Sequence, residues 1–296
     1  MAINWGLIVM RSIGIISSSR RWRYQPEVYP FMEAIGMPNS DLIYHEGTTY
    51  ERSGKQFWTQ INELIINWKT ALGLPLDFKN LYSRLPLVYP TIGGTATSHK
   101  YNLSDPSKFV ATFFGGWTHD GSGAQPNGTN AYMTTTTGLF VNMGYSMESA
   151  TFGFDSKTDA NGLYLDLRAT DGARPNIILY ARNSGSAYSQ FDYSLANSID
   201  AVPDSLGLYM LNRVNANLFE VIKENAVIGS HSKTCGHEIS SGVLNGAGYS
   251  GGQYSPRKRT LTFGASKSQG NIGGFTPTER TDFTNHWRNF DNSLNR

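Results

Sequence analysis

The 296-residue sequence holds a single cysteine, Cys235. No internal disulfide can form, so the fold does not depend on an oxidising compartment, and the chain is expected to be made and folded in a cytosol. Charge is sparse as well. Only 16% of the residues are charged, and 25 basic against 23 acidic side chains leave a formal net charge of +2. That balance lacks the basic footprint of a nucleic-acid binder. The two basic clusters, Arg20, Arg21, Arg23 and Arg257, Lys258, Arg259, have no nucleic-acid motif around them and read as solvated or subunit-contacting charge. Long hydrophobic runs are also missing. The apolar start, residues 1–16, is broken by Arg11, is too short to span a bilayer, and has its positive cluster after the apolar part rather than before it. Neither a nucleic acid nor a membrane is expected as a partner.

Motifs for chemistry are equally scarce. There is no Gly-x-Ser-x-Gly elbow, no glycine loop ending in Lys-Ser or Lys-Thr, and no spacing that brings two carboxylates across a cleft. Enzymatic activity and a cofactor are therefore not expected. What is abundant is glycine, 31 residues, and tyrosine, 16 residues, a profile of short strands and tight turns. The length suffices to bury a sizeable core without metals or disulfides.

Residues 53–72 carry the strongest helical pattern. Phe57, Ile61, Leu64, Ile65, Trp68 and Leu72 recur at three- and four-residue spacing, Ser53 with Gln56 forms a capping box, and Gly73 followed by Pro75 ends the helix. Beyond residue 87 the pattern becomes strands, over residues 150–154, 163–167, 176–182, 206–214, 218–223 and 260–264. Asn161-Gly162, Asp171-Gly172 and Asn245-Gly246 are candidate hairpin turns. A second helix follows Thr276, Pro277 and Glu279, with Phe283, Trp287, Phe290 and Leu294 on one face. These elements predict a mainly β protein, an antiparallel sandwich with helices before and after it.

One ordered series stands out: Val88-Tyr89-Pro90, Gly93-Gly94-Thr95-Ala96, Ser98-His99-Lys100-Tyr101-Asn102-Leu103, Asp105-Pro106, Gly115-Gly116-Trp117-Thr118-His119 and Pro126-Asn127-Gly128-Thr129-Asn130-Ala131. It resembles a module recurrent in structural proteins of phages, especially those related to Bacteroidetes hosts. The likeness continues through residues 207–229, with the turn Lys223-Glu224-Asn225, and closes in the helix after Thr276, covering about residues 53–296. The resemblance implies a concanavalin-like or laminin-G-like jelly roll in a tail fibre, head fibre or other virion part, located in the virion after synthesis in the host cytoplasm. It gives a fold and no binding site.

The expected organisation is an extended docking arm over residues 1–52, a helical connector over 53–86, and the jelly-roll sandwich with its C-terminal helix over 87–296. The arm, through Trp5, Ile8, Trp22, Tyr24 and Tyr29, would dock on capsid or tail proteins or on further copies of the chain in a homo-oligomer. Host surface glycan is the other candidate partner. Exposed aromatics rimmed by amides suit sugars, and Tyr188, Gln190 and Tyr193 in a Ser-, Gly- and Tyr-rich loop are the candidate site. Trp117 with His119 and Asp120 could make a similar platform, although core packing is the simpler reading of Trp117. Two metal readings are weaker than their alternatives. His231, Cys235 and His237 lack a fourth ligand other than Glu238, and Asp155, Asp159, Asn161 and Asp166 have no EF-hand register. The functional expectation is a non-enzymatic virion fibre or decoration protein. A receptor-binding tail fibre or spike, and a polysaccharide depolymerase, are the alternatives.

Overall fold

The structure, a computed structural model, describes residues 24–37, 39, 43–46, 50–135, 149–170, 175–191, 196–199, 202–232, 243–266 and 273–296. Helix α1 (Val28–Ala34) is followed by a hairpin of β1 (Ile43–Glu46) and β2 (Tyr50–Ser53), then by α2 (Gly54–Ala71). After β3 (Leu87–Tyr89) and the short α3 (Ala96–His99) come β4 (Thr112–Phe114), β5 (Trp117–Asp120), β6 (Gly123–Pro126) and β7 (Tyr132–Thr134). The remaining strands are β8 (Ala150–Ser156), β9 (Leu167–Thr170), β10 (Pro175–Asn183), β11 (Ser186–Phe191), β12 (Ala196–Ile199), β13 (Gly207–Asn215), β14 (Leu218–Lys223), β15 (Ala226–Ser232), β16 (Val243–Gly246) and β17 (Arg259–Ser266). Helix α4 (Pro277–Ser293) closes the series.

The strands make an antiparallel jelly-roll sandwich. A front sheet runs β12-β11-β10-β9-β16-β7-β4, and a back sheet runs β15-β14-β13-β8-β17-β6-β5 with β3 added to β17. Alternation along each strand divides the side chains between two layers. Phe152, Phe154, Tyr209, Leu211, Phe219 and Val221 of the back sheet meet Met133, Leu167, Ala169, Ile177, Leu179 and Leu244 of the front sheet in the central core. The alternate back-sheet residues Leu208, Met210, Ile222, Leu261, Phe263 and Ala265 point outward, where α2 and α4 cover them.

Both long helices follow from local sequence. Ser53 Oγ accepts from Gln56 N at 3.2 Å and Gln56 Oε1 accepts from Ser53 N at 3.0 Å, closing the capping box of α2, while Gly73 with φ of 64° ends the turn after it. Thr276 and Glu279 repeat the box at α4. The helices meet through Trp68, whose ring stacks on Phe283 with centroids 4.8 Å apart and whose Nε1 donates to the Phe283 carbonyl. Beneath them Gly153 is required in β8. A Cβ there would lie 2.5 Å from both the Phe263 ring and the Tyr209 carbonyl oxygen.

Three local expectations are corrected. Asn161-Gly162 lies in the β8–β9 connection and is not a hairpin turn. Its Asn161 Oδ1 accepts from Gly185 N at 3.1 Å, bracing the turn that does join β10 to β11, Ser184-Gly185, with φ of 52° and 87°. Asn245-Gly246 lies inside β16, opposite Thr134 and Met133, because pairing on both sides outweighs its turn preference. The strand expected over 163–167 falls later, at Leu167–Thr170. Asp171-Gly172 lies outside the described residues.

Among the described residues, no packing boundary separates residues 24–37 and the connector from the sandwich. One buried cluster takes in Tyr24, Val28, Phe31 and Met32, the inner face of α2, the outer face of the back sheet, and α4. Tyr24 and Tyr29, placed in a free docking surface by the sequence reading, pack instead on Trp58 of α2 with centroids 5.4 and 5.3 Å away. Trp58 Nε1 in turn donates to the Met37 carbonyl at 2.8 Å. No helix among the described residues is long and apolar enough to cross a membrane.

Candidate functional site

Helices cover the middle of the outer face of the back sheet, whereas the outer face of the front sheet has no helix over it among the described residues. Antiparallel register builds it as transverse rows. Gln190 is opposite Ile178, Ile178 opposite Arg168, Arg168 opposite Asn245, Asn245 opposite Thr134, and Thr134 opposite Thr112. Because Leu167 and Ala169 point into the central core, Arg168 between them faces outward.

Residues 247–256 fold over the middle of this face. Leu165 bridges to Tyr254, and the Tyr180 hydroxyl donates to Gln253 Oε1 at 2.8 Å. Burial, and after it the neighbouring Tyr249, push the Tyr180 phenol up to about 12, so it remains a donor at neutral pH. Tyr249 packs on a small cluster of Leu165, Ile178 and Tyr180, and the Arg168 guanidinium carbon sits 4.4 Å from the Tyr249 ring centroid. Towards β4, Tyr132 lies 6.4 Å from Tyr254 and stacks on Phe114 at 4.8 Å with an interplanar angle of 11°. Phe114 is 41% exposed. The result is a strip of half-open aromatic rings with Arg168 and Gln253 among them and Asn245 buried beneath. Aromatic faces pack against the C–H faces of sugar rings while amides and a guanidinium bind hydroxyls, so the chemistry of the strip suits a saccharide.

Of the sequence candidates, two fall in a strand of the front sheet. Tyr188 and Gln190 are in β11, opposite Tyr180 and Ile178 in backbone register. Tyr193, and the docking residues Trp5, Ile8 and Trp22, lie outside the described residues. Trp117 is half-buried at the edge of the sandwich and acts as a clasp between the sheets. Its Nε1 donates to the Phe114 carbonyl at 3.0 Å, and its ring meets Phe113 at 5.0 Å. His119 is held with its Nδ1 2.9 Å from that of His99, and Asp120 pairs with Lys258 at 3.0 Å. The platform is thereby committed to internal contacts.

The carboxylates considered for calcium are also committed, in three separate places. Asp155 accepts from Thr260, Trp287 Nε1 and both terminal nitrogens of Arg288 at 2.7 to 2.9 Å. Burial alone would raise its pKa, but Arg288, Lys157 and Trp287 outweigh that and hold it below the usual carboxylate range. Asp166 joins Arg257 and Arg259 at 2.6 and 3.0 Å in the interior, and Asp159 pairs with Arg182 at 2.9 Å. His231 packs on Phe219 with centroids 5.0 Å apart, whereas Cys235 and His237 lie outside the described residues.

Sequence reasoning missed Phe114, Tyr132, Arg168, Tyr249, Gln253 and Tyr254. A usable signal existed at Leu167-Arg168-Ala169, where one cation interrupts two apolar residues at strand period.

No protein-family model and no curated protein sequence matches the chain. Solved structures do. The chain is similar to the sialidase of Trypanosoma rangeli, with a TM-score of 0.50 and 11% identity over 77% of this chain and 38% of that one. It is also similar to domain 4 of AbnA, a GH43 extracellular arabinanase from Geobacillus stearothermophilus, in complex with arabinotriose, with a TM-score of 0.44 and 13% identity over 68% of this chain and 98% of that one. A third likeness is to the carbohydrate binding module CBM66 from Bacillus subtilis, with a TM-score of 0.31 and 12% identity over 54% of this chain and 94% of that one. At such identities the likeness concerns the fold, and the chain spans less than half of the sialidase.

Proposed function

We propose that the chain is a non-enzymatic, lectin-like structural protein of a tailed-phage virion, a fibre or decoration component that binds host surface glycan through the outer face of its front sheet. The observation that carries the glycan reading is the asymmetry of the sandwich. Helices α2 and α4 bury one outer face, while the other keeps the aromatic strip from Phe114 and Tyr132 to Tyr254 and Tyr249. Avidity from many copies on a particle makes weak single-site contacts sufficient. The virion assignment is supported by the ordered motif series over residues 88–131, and docking on capsid or tail proteins, or on further copies in a homo-oligomer, falls to the N-terminal residues Trp5, Ile8 and Trp22.

The non-enzymatic reading has its own support. Most glycosidases flank the scissile bond with two carboxyl groups, and the described residues of this face present Arg168, Gln253 and aromatics rather than an acidic pair.

The test has two arms. Gold-labelled antibody to the chain should decorate intact virions, and unlabelled particles would remove the virion assignment. Purified chain should bind host cells in competition with extracted host polysaccharide, and the double variant Tyr132→Ala/Tyr254→Ala should lose that binding while melting as the parent does. Undiminished binding would exclude this face, and reducing ends released from the polysaccharide would establish a depolymerase instead.

A further inference from the structure

Among the described residues, arginines are held by oxygens. Arg84 pairs with Glu279, Arg182 with Asp159, Arg280 with Glu220, Arg288 with Asp155, Arg296 with Asp291, and Arg257 and Arg259 share Asp166. Arg213 donates to the Ala216 carbonyl. Arg168 differs from all of them. An unpartnered buried Nε is common to Arg182, Arg213, Arg257, Arg259 and Arg280 as well, but no carboxylate or carbonyl among the described residues accepts from any nitrogen of Arg168, and its contact of note is the ring of Tyr249.

A guanidinium held over an aromatic ring keeps its planar fork for a bidentate anion. Tyr249 is itself anchored on Leu165, Ile178 and Tyr180, so the stack belongs to the sheet rather than to a wandering side chain. Beside Arg168 in register is Asn245, a buried residue that forms the floor of the face next to the guanidinium. Among the described residues no acidic side chain pairs with Arg168; the nearby Asp166 is taken by Arg257 and Arg259.

We infer that the front-sheet face selects acidic saccharides, with Arg168 receiving a carboxylate or sulfate group while the aromatic strip carries the adjoining sugar rings. This rests on the glycan reading of that face and adds the class of ligand. Loss of one charge-assisted pair of hydrogen bonds is expected to weaken binding by about tenfold to a hundredfold.

The experiment is calorimetric titration of the full chain with four probes: polygalacturonate oligosaccharides, the same oligosaccharides after carboxyl reduction, dextran sulfate and dextran. The parent chain should bind an acidic probe at least about tenfold more tightly than its neutral counterpart. The carboxylated and sulfated arms identify which anion is taken. Arg168→Gln should abolish that preference and Arg168→Lys should restore part of it, since the charge returns without the fork. Tyr132→Ala/Tyr254→Ala should weaken acidic and neutral probes alike. Urea midpoints of all variants close to the parent's separate recognition from folding. Equal binding of acidic and neutral probes, or an acid preference that survives Arg168→Gln, overturns the inference and leaves glycan binding standing. Absence of binding to every probe and to extracted host polysaccharide overturns the reading beneath it as well.

Discussion

Removing one partner of the buried pair Glu27–Lys69 should unfold the chain far more readily than removing any surface ion pair. Both side chains are fully buried and 2.8 Å apart. Lys69 also donates to Gln25 Oε1 at 3.0 Å and to the Phe78 carbonyl at 2.7 Å, and Glu27 Oε1 accepts from the backbone N–H groups of Asn80 and Leu81 at 2.9 and 3.0 Å. The pair therefore ties the segment around α1 to α2 and to the chain that follows it. Lys69→Met strands a carboxylate in the interior, at a cost of about 3–5 kcal/mol. Glu27→Gln keeps an acceptor for the two N–H groups but leaves the ammonium with neutral oxygens only. Because each single change leaves a charge unmatched, Glu27→Gln/Lys69→Met should cost less than the sum of the singles by about 0.5–3 kcal/mol. With a urea m-value of about 3 kcal/mol/M, Lys69→Met lowers the midpoint by about 1 M or more. Lys79→Met, which removes an exposed partner 3.8 Å from Asp105, is the control and should cost under about 1 kcal/mol. Urea titration followed by tryptophan fluorescence measures all four. A Lys69→Met midpoint no lower than that of the control, or strictly additive singles, would refute the integration of residues 24–37 into the fold.

Acidification should destabilise the chain before its carboxylates titrate. Burial first, then His119, Arg296 and Lys258 against the opposing Asp120, lower the His99 pKa to about 2, and burial against Asp120 lowers that of His119. The unfolded chain then binds protons that the folded one refuses, so stability is full above about pH 6.5 and declines as pH falls below it. Urea midpoints from pH 7.5 to 5 should drop, less so in His99→Asn, and a flat or rising profile contradicts the assignment. Gly153→Ala should cost about 1–3 kcal/mol through the clash with Phe263 and the Tyr209 carbonyl, visible as a fall of several degrees in Tm; an unchanged Tm would mean that Phe263 packs less tightly on β8. Thr276→Ala removes the hydroxyl that accepts from Glu279 N at 3.2 Å and should cost about 1 kcal/mol in chemical denaturation, whereas no loss would show α4 to be held by packing alone.

The parts of the fold legible in sequence are those whose signals are local. Helices α2 and α4 announce themselves through Ser53 with Gln56 and Thr276 with Glu279, and strands β8, β13 and β14 through short apolar alternation. Errors arise where distant pairing decides. Asn245-Gly246 carries a turn signature but is captured between β9 and β7, and Asn161-Gly162 serves a turn more than twenty residues away. Tyr24 and Tyr29 read as unburied because their cover, Trp58, comes later in the chain and belongs to a different element. The candidate face was the least legible feature. Its row from Ile178 through Arg168, Asn245 and Thr134 to Thr112 is assembled by the sheet order β10-β9-β16-β7-β4, which no period in the sequence encodes. Tyr188 and Gln190 could be found only as a polar, tyrosine-bearing stretch, without the neighbours that the register gives them.

The decisive measurement for glycan binding at the front sheet is amide hydrogen exchange of the full chain with and without saturating host-derived polysaccharide. Slowed exchange confined to β4, β7, β9, β16 and residues 247–256 is the expected result. Slowing over α2 and α4 instead, or no change anywhere at saturation, would contradict it.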